Sequence, residues 1–276
     1  MQDLAFELTP TVWSRASFDP IDEEGMRGDG VTQQTFLVVK KEEESMIQAN
    51  TLYVFGSGTP ANLVAKLIPE EEREYVAAVV GTHQDLSGMS ADLTTRRRGV
   101  DVFKRKNAGD LFVAINSAVE DKDAMTLTSS LCDHIEVKKF VGVFVAPTTM
   151  LHDEDGVAER MVPFTLLSNW MSEDGVAQLP TLPAFSKLTG VPAAFFQNFA
   201  TLDVPSCLVL SFYKEHFAFG SGNNNKSDQT SDTLFPTAKV IEMLGIADHK
   251  EVSASVTDIE KELEKLVVDE NLSVYA

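Results

Sequence analysis

The chain has 276 residues, of which 42 are acidic and 23 are basic, so its formal net charge is -19 at pH 7. Such a charge repels nucleic-acid phosphates and anionic membrane surfaces, and neither is expected as a main partner. With 43% hydrophobic and 24% charged residues, the composition is typical of a globular chain with its own core. No apolar run is long enough to span a bilayer, and no basic flank of a secretory signal is present.

The two cysteines, Cys132 and Cys207, both have apolar neighbours in the sequence. This context predicts two reduced, buried thiols, as in proteins of a reducing compartment. The sequence therefore predicts a cytoplasmic location, with the nucleus as an alternative.

The first part of the chain is predicted to be a flexible arm followed by the start of an α/β domain. Residues 1–30 show neither a strand period nor a helix period. The domain is predicted over 31–270, beginning with strands at 35–41 and 52–56. A helix follows from Thr59, because apolar residues recur on one helical face and Pro60 is tolerated in a first turn.

The middle of the chain predicts a β-hairpin between further strands. Residues 75–82 indicate a strand, and the segments 99–106 and 110–118 flank a turn at Asn107-Ala108-Gly109. A weak helix at 123–135 then leads into an apolar strand at 140–147.

The last third predicts more helices than strands. An irregular stretch at 148–190 precedes a helix at 192–203 and a strand at 206–213, and the polar segment 219–232 is predicted to be a mobile loop. Two closing helices are predicted at 236–244 and 257–268. Alternating strands and helices indicate the α/β class: a single three-layer domain with a mostly parallel sheet, an inserted hairpin and flanking helices.

One segment is typical of nucleotide-binding enzymes. Gly56-Ser57-Gly58-Thr59-Pro60-Ala61 lies between a strand and a helix and matches the G-x-G-x-x-A form of a dinucleotide turn. The alternative is a tight turn that needs small residues, which is favoured because Pro60 removes an N–H group that a phosphate would use. No nucleophile elbow and no metal-ligand spacing occurs, so the sequence predicts no catalysis, metal or cofactor.

A basic cluster interrupts the acidic chain. Its members are Arg96, Arg97, Arg98, Lys104, Arg105 and Lys106. This cluster is either a contact surface for an acidic partner or the charged, solvated edge of a hairpin. The second interpretation is favoured.

The C-terminus combines a helix with a short tail. Thr257 and Glu260 have the spacing of a capping box, and Ile259, Leu263, Leu266 and Val267 form one apolar stripe. Residues 271–276 are predicted to form a tail in which Leu272 to Ala276 reach roughly 17 Å when extended. Val274 is a small apolar anchor, Tyr275 carries a ring and a phenol, and Ala276 carries the α-carboxylate. Together they suit a cleft that captures a C-terminal carboxylate.

This ending resembles the hydrophobic-tyrosine-any tails by which proteasome activators and assembly chaperones enter pockets between α-subunits of the 20S ring. The block "VPAAFFQNFATLDVPSCLVLSFY" (191–213) is similar to a segment of the proteasome assembly chaperone 1 family, through Pro192, Ala193, Ala194, Pro205 and Tyr213. The segment "LYVFGSGTPANLVAKLI" resembles the early strand, turn and helix of that family. The first 50 residues show no such likeness.

The resemblance implies a non-catalytic α/β protein that pairs with assembly chaperone 2 and acts on the forming α-ring of the 20S proteasome. It also implies that Val274, Tyr275 and Ala276 dock into an α-subunit pocket. The alternative function is that of a nucleotide-binding enzyme using the Gly56-Ser57-Gly58 turn.

Overall fold

The computed structural model describes residues 36–40, 46–81, 99–106, 109–152, 162–169, 175–214 and 225–273. Within these residues the strands are β1 (Phe36–Lys40), β2 (Ile47–Phe55), β3 (Arg73–Gly81), β4 (Val100–Arg105), β5 (Leu111–Ile115), β6 (Ile135–Pro147), β7 (Phe164–Ser168) and β8 (Ser206–Tyr213). The helices are α1 (Thr59–Leu67), α2 (Asp121–Cys132), α3 (Gly190–Thr201), α4 (Asn225–Met243) and α5 (His249–Ser273), with single 3₁₀ turns at Glu70–Glu72, Thr148–Met150 and Gly175–Gln178.

The eight strands form one mixed sheet in the order β1-β3-β4-β5-β2-β6-β8-β7. Its centre is parallel, because β2 pairs in parallel with both β5 and β6, and β6 pairs in parallel with β8. The outer pairs are antiparallel. These pairings make β2, β3, β5, β6 and β8 run in one direction and the other three strands run in the opposite one.

Helices cover both faces of the sheet, which confirms the predicted three-layer α/β class. We call the side packed by α2 and α3 the first face, and the side packed by α1, α4 and α5 the second face. Each face has its own cluster of buried apolar side chains, and the sheet separates the two clusters. The alternation of side chains along β2 shows this, since Leu52 and Val54 belong to the first face while Phe55 belongs to the second.

The predicted strands and the inserted hairpin are confirmed, with one strand missed. Strands β4 and β5 pair antiparallel around residue Gly109 as predicted, although Asn107 and Ala108 lie outside the described residues. Strands β2 and β6 begin several residues before the apolar runs that predicted them. Their first halves alternate between exposed and partly buried positions and therefore contain no continuous apolar run. The irregular stretch at 148–190 contains β7, which is too short to show a clear period.

The prediction of a mobile loop at 219–232 is wrong for its second half. Helix α4 begins at Asn225, eleven residues before the predicted helix start, and Pro236 lies inside it. A polar composition favours a loop in isolation, but tertiary contacts select the helix here. Thr233 and Leu234 are buried against the second face, and the Asp232 carboxylate accepts a hydrogen bond from the Lys214 backbone N–H at 3.3 Å. Residues 219–224 and the arm at 1–30 lie outside the described residues.

The predicted start of the last helix is also wrong. Helix α5 begins at His249, and a reciprocal capping box forms there between Asp248 and Glu251. The Glu251 N–H donates to Asp248 Oδ1 at 2.8 Å, and the Asp248 N–H donates to Glu251 Oε2 at 3.2 Å. Thr257 lies inside the helix and donates to the Ser253 carbonyl instead. Asp248–Glu251 and Thr257–Glu260 both have the spacing of a capping box. Only Asp248–Glu251 follows a chain reversal, which occurs at Gly245 (φ 67°).

Two further properties of the described residues concern membrane spans and metal sites. Helices that are long and apolar enough to cross a membrane are not found among them. Within the same residues, His, Cys, Asp and Glu side chains do not gather in groups of three or more that could hold a metal ion.

Candidate functional site

Helix α5 carries the C-terminal tail, and apolar packing attaches it to the second face. Val252, Val256 and Ile259 are buried there, and Leu263 packs against the same cluster. This confirms the first half of the predicted apolar stripe, whereas the side chains of Leu266 and Val267 lie outside the described residues. An ion pair joins α5 to α1, with Lys66 Nζ 2.6 Å from Glu262 Oε1. The first half of α5 is therefore fixed to the domain.

The helix continues farther than the sequence predicts. Asn271, Leu272 and Ser273 are helical, so the predicted start of the tail at residue 271 lies three residues too early. The apolar stripe ends at Val267, but the backbone hydrogen bonds of a helix do not need apolar side chains to continue. Three residues follow, and three extended residues span about 10 Å. These are Val274, Tyr275 and Ala276, which lie outside the described residues, so their docking role stays a prediction.

Half of the basic cluster is described, and it lies at the end of β4. The Arg105 guanidinium pairs with Glu72 at 3.2 Å and donates to the Ile246 carbonyl at 3.2 Å. Lys106 Nζ donates to the Glu71 carbonyl, and Lys104 is only partly exposed. Arg105 thus joins β4 to the 3₁₀ turn before β3 and to the turn between α4 and α5. Arg96, Arg97 and Arg98 lie outside the described residues, so a partner contact by the whole cluster stays a prediction.

The glycine-rich turn after β2 has structural reasons for each glycine. A Cβ atom at Gly56 would lie 2.5 Å from the Phe144 ring, and Gly58 has φ 86°, which side chains disfavour. The N-terminus of α1 is covered, because Thr59, Pro60 and Ala61 are buried and the Thr59 hydroxyl lies 2.7 Å from the Thr233 hydroxyl of α4. A phosphate at this end of α1 would displace α4. The geometry therefore favours the tight turn over the dinucleotide turn.

Cys132 and Cys207 are not joined by a disulfide; Cys207 is buried as the sequence predicts, whereas Cys132 is only partly buried. Cys207 is fully buried in β8, and burial raises the pKa of the Cys132 thiol to about 12. A thiol with so high a pKa is protonated at neutral pH, and the thiolate is the nucleophilic form. Neither cysteine has the environment of a catalytic nucleophile.

The block at 191–213, which carries much of the family resemblance, builds the first face. It spans α3 and β8, and the Phe140 ring of β6 stacks on Phe195 at 6.0 Å and on Phe199 at 4.8 Å between centroids. The Pro205 carbonyl accepts the Phe140 N–H at 2.9 Å, which aligns β6 with the start of β8. These residues build the core of the domain, so the resemblance in this block concerns the fold.

Comparisons with known proteins find solved structures that share the fold of this chain. No family model matches the chain, and no curated protein sequence matches it. The solved structure of PbaA from Pyrococcus furiosus, described as an archaeal homolog of proteasome-assembly chaperone, is similar with a TM-score of 0.54 and 10% identity, covering 87% of this chain and 95% of PbaA. A protein of unknown function from Thermoplasma acidophilum is similar with a TM-score of 0.52 and 9% identity, covering 86% of this chain and 92% of that protein.

The chain therefore has the fold of a structural class that includes a proteasome-assembly chaperone homolog. At 10% identity the likeness concerns the fold, and the function is argued separately below.

Proposed function

We propose that the protein is a non-catalytic chaperone of 20S proteasome assembly, acting in the cytoplasm or the nucleus. The observation that carries the proposal is the fold shared with PbaA over 87% of the chain. The sequence adds two independent features, the block at 191–213 and the ending Val274-Tyr275-Ala276. In this proposal the chain pairs with assembly chaperone 2, as the resemblance to the chaperone 1 family implies, and the pair binds α-subunits of the forming ring.

The tail would act as a docking peptide. The Ala276 carboxylate pairs with a lysine of the α-subunit pocket, the Tyr275 ring packs on the pocket wall, and Val274 fills an apolar recess. A contact of three residues is weak alone. Tethering multiplies it, because a partner that already holds the domain surface raises the effective concentration of the tail.

The attachment of α5 supports this mechanism. The helix is regular up to Ser273 and is held by its capping box, its apolar stripe and the Lys66–Glu262 ion pair. A peptide that leaves a fixed helix has fewer conformations to lose on binding than one that leaves a disordered segment. The three tail residues thus start from a defined point.

The test is capture of purified α-subunits by the full chain carrying an N-terminal tag. Deleting Val274–Ala276 is expected to weaken capture about tenfold or more, because central aromatic anchors contribute most of the energy in such contacts. The matched control is Phe235→Ala, which removes an exposed aromatic ring of α4 on the same side of the sheet. Undiminished capture by the deletion variant would rule out the tail mechanism.

A second experiment distinguishes recognition of the Ala276 carboxylate from recognition of the Tyr275 ring. Adding a short peptide after Ala276 keeps Tyr275 but moves the α-carboxylate, and it is expected to impair capture as the deletion does. Full capture by the extended chain would show that the carboxylate is not the group recognised. Thermal unfolding of each variant, expected to match the parent chain, verifies that the domain is intact.

A further inference from the structure

A cavity of about 280 Å³ lies at the edge of the sheet where the central parallel strands end. Its lining includes Ser57 just after β2, Ile115 at the end of β5, Pro147 at the end of β6 and Tyr213 at the end of β8. At about 30 Å³ per water, the cavity has room for roughly nine waters. This size is just below the usual range for drug-sized ligands and fits a small molecule.

The chain topology opens a crevice at this point. Strands β2 and β5 are parallel neighbours, but β2 is followed by α1 on the second face and β5 is followed by α2 on the first face. Ligands of open α/β sheets bind where successive helices leave neighbouring strands toward opposite faces. The cavity therefore lies at the switch point of this sheet, and its wall includes Gly56 and Ser57 of the turn that precedes α1.

A carboxylate defines the chemistry of the cavity. Asp121, the first residue of α2, lies in the wall and remains accessible to solvent. Gly190, the first residue of α3, lies directly against this carboxylate and has φ 68°. A Cβ atom at Gly190 would lie 2.5 Å from Asp121 Oδ1, so the absent side chain leaves the space that the carboxylate occupies. A glycine is needed there for both its conformation and this approach.

The charge of Asp121 is not neutralised by the described residues around it. The nearby Lys122 ammonium pairs with Glu120 at 2.9 Å, and this hydrogen bond raises the pKa of Lys122. Among the ion pairs of the described residues, none includes Asp121. The cavity lining contains no lysine, arginine or histidine from the described chain. Among the described residues, the only full charge in the lining is the Asp121 carboxylate, which favours a cationic ligand over an anionic one.

The remaining lining indicates which kind of cation fits. Ser57 and Thr189 bring hydroxyl groups that accept hydrogen bonds from an ammonium group. Ile115, Val119 and Met150 bring apolar surface that suits an alkyl chain. We propose that this cavity binds a primary alkylammonium group, with the Asp121 carboxylate as its ion-pair partner. The site is separate from the C-terminal tail and does not depend on the function proposed above.

The test is an NMR titration of the isotope-labelled full chain with n-butylammonium at constant ionic strength. Saturable shifts are expected at the backbone amides of Ser57, Gly190 and Val191, which line the cavity. The probes n-butanol and butyrate, which have the same alkyl chain but no positive charge, are expected to bind more weakly or not at all. The absence of saturable shifts with n-butylammonium would overturn the proposal.

Two variants assign the binding to the carboxylate. Asp121→Asn keeps the side-chain shape and is expected to weaken binding about tenfold, because a charge-assisted hydrogen bond becomes a neutral one. Gly190→Ala keeps the charge but displaces the carboxylate, and it is expected to weaken binding as well. The control is Asp133→Asn, an exposed acid at the other end of α2, which should leave binding unchanged. Equal affinity of the Asp121→Asn variant and the parent would overturn the assignment.

A further titration distinguishes two ligands that carry an alkylammonium group: a lysine side chain of a protein and a free amine. Nα-acetyl-lysine N-methylamide imitates a lysine side chain of a protein, while n-butylammonium imitates a free amine. Tighter binding of the lysine compound assigns the site to a protein lysine, and tighter binding of n-butylammonium assigns it to a small free amine. Both results support the ammonium chemistry, and failure of both probes contradicts it.

Discussion

Both faces of the sheet pack on their helices through apolar side chains, but they differ in where the aromatic rings lie and in how the helices meet each other. On the first face, aromatic rings join the sheet to α3, since Phe140 stacks on both Phe195 and Phe199. On the second face, the rings of Phe103 and Phe112 stack along the sheet. Helices α1 and α4 of that face meet through the buried hydroxyls of Thr59 and Thr233, at 2.7 Å.

The difference explains which helices are recognisable in the sequence. An apolar helix such as α3 indicates its own burial, because its aromatic residues recur at helical spacing. A helix that is buried partly through hydroxyl groups has the composition of a loop. The turn of α4 at Thr233 and Leu234, which follows a polar Asn/Ser-rich stretch of sequence, is an example.

The largest effect is expected on the first face. Phe199→Ala should lower the free energy of unfolding by about 3–5 kcal/mol, because it removes a fully buried ring and leaves a cavity beside Phe140. Urea unfolding of the full chain measures the change. Phe235→Ala is the matched control on an exposed ring and should change stability by less than about 0.5 kcal/mol. Similar effects of the two substitutions would contradict the described packing.

An intermediate effect is expected from the hydroxyl pair of the second face. Thr59→Val and Thr233→Val should each lower the free energy of unfolding by about 1–2 kcal/mol, because each removes the buried hydrogen bond between the two hydroxyls. The double variant should cost less than the sum of the two, since both hydroxyls are then absent. A double-mutant cycle by urea unfolding measures this coupling. Strictly additive effects would show that the two hydroxyls do not interact.

The smallest effect concerns the start of α5. Asp248→Ala should lower the free energy of unfolding by about 1 kcal/mol, because it removes the side chain that caps the helix. Thr257→Ala is the comparison, since the sequence alone favours Thr257 as the cap, and it should change stability by less than about 0.5 kcal/mol. Thermal unfolding of both variants distinguishes the two positions. A larger loss at Thr257 than at Asp248 would contradict the observed helix start.

Much of the fold could be predicted because burial imposes a period on the sequence. Apolar runs located strands β2, β6 and β8, and the turn before Gly109 located the hairpin. Boundaries were less predictable: β7 is short, and the two capping-box pairs in α5 differ only in their tertiary context. The strand order was not predictable either, because β3 pairs with the edge strand β1, and the chain then returns through β4 to β5, which pairs with β2.

The two candidate sites, the tail and the cavity, also differ in how much of each could be predicted from the sequence. The tail Val274-Tyr275-Ala276 is contiguous, so the sequence alone shows its chemical groups. The cavity beside Asp121 is formed by segments from four strand ends and two helix starts, and none of these segments is unusual by itself.

The sequence by itself determined the α/β class and the net charge of -19, and it indicated the C-terminal residues of the proposed docking tail. These properties depend on composition, local periodicity and chain position, which need no folded structure to be visible. Tertiary structure alone decided that α4 packs against the start of α1, that α4 is a helix from Asn225, and that Asp121 contacts Gly190 at the wall of a cavity. Each of these depends on contacts between residues distant in sequence, whose pairing only the packed chain specifies.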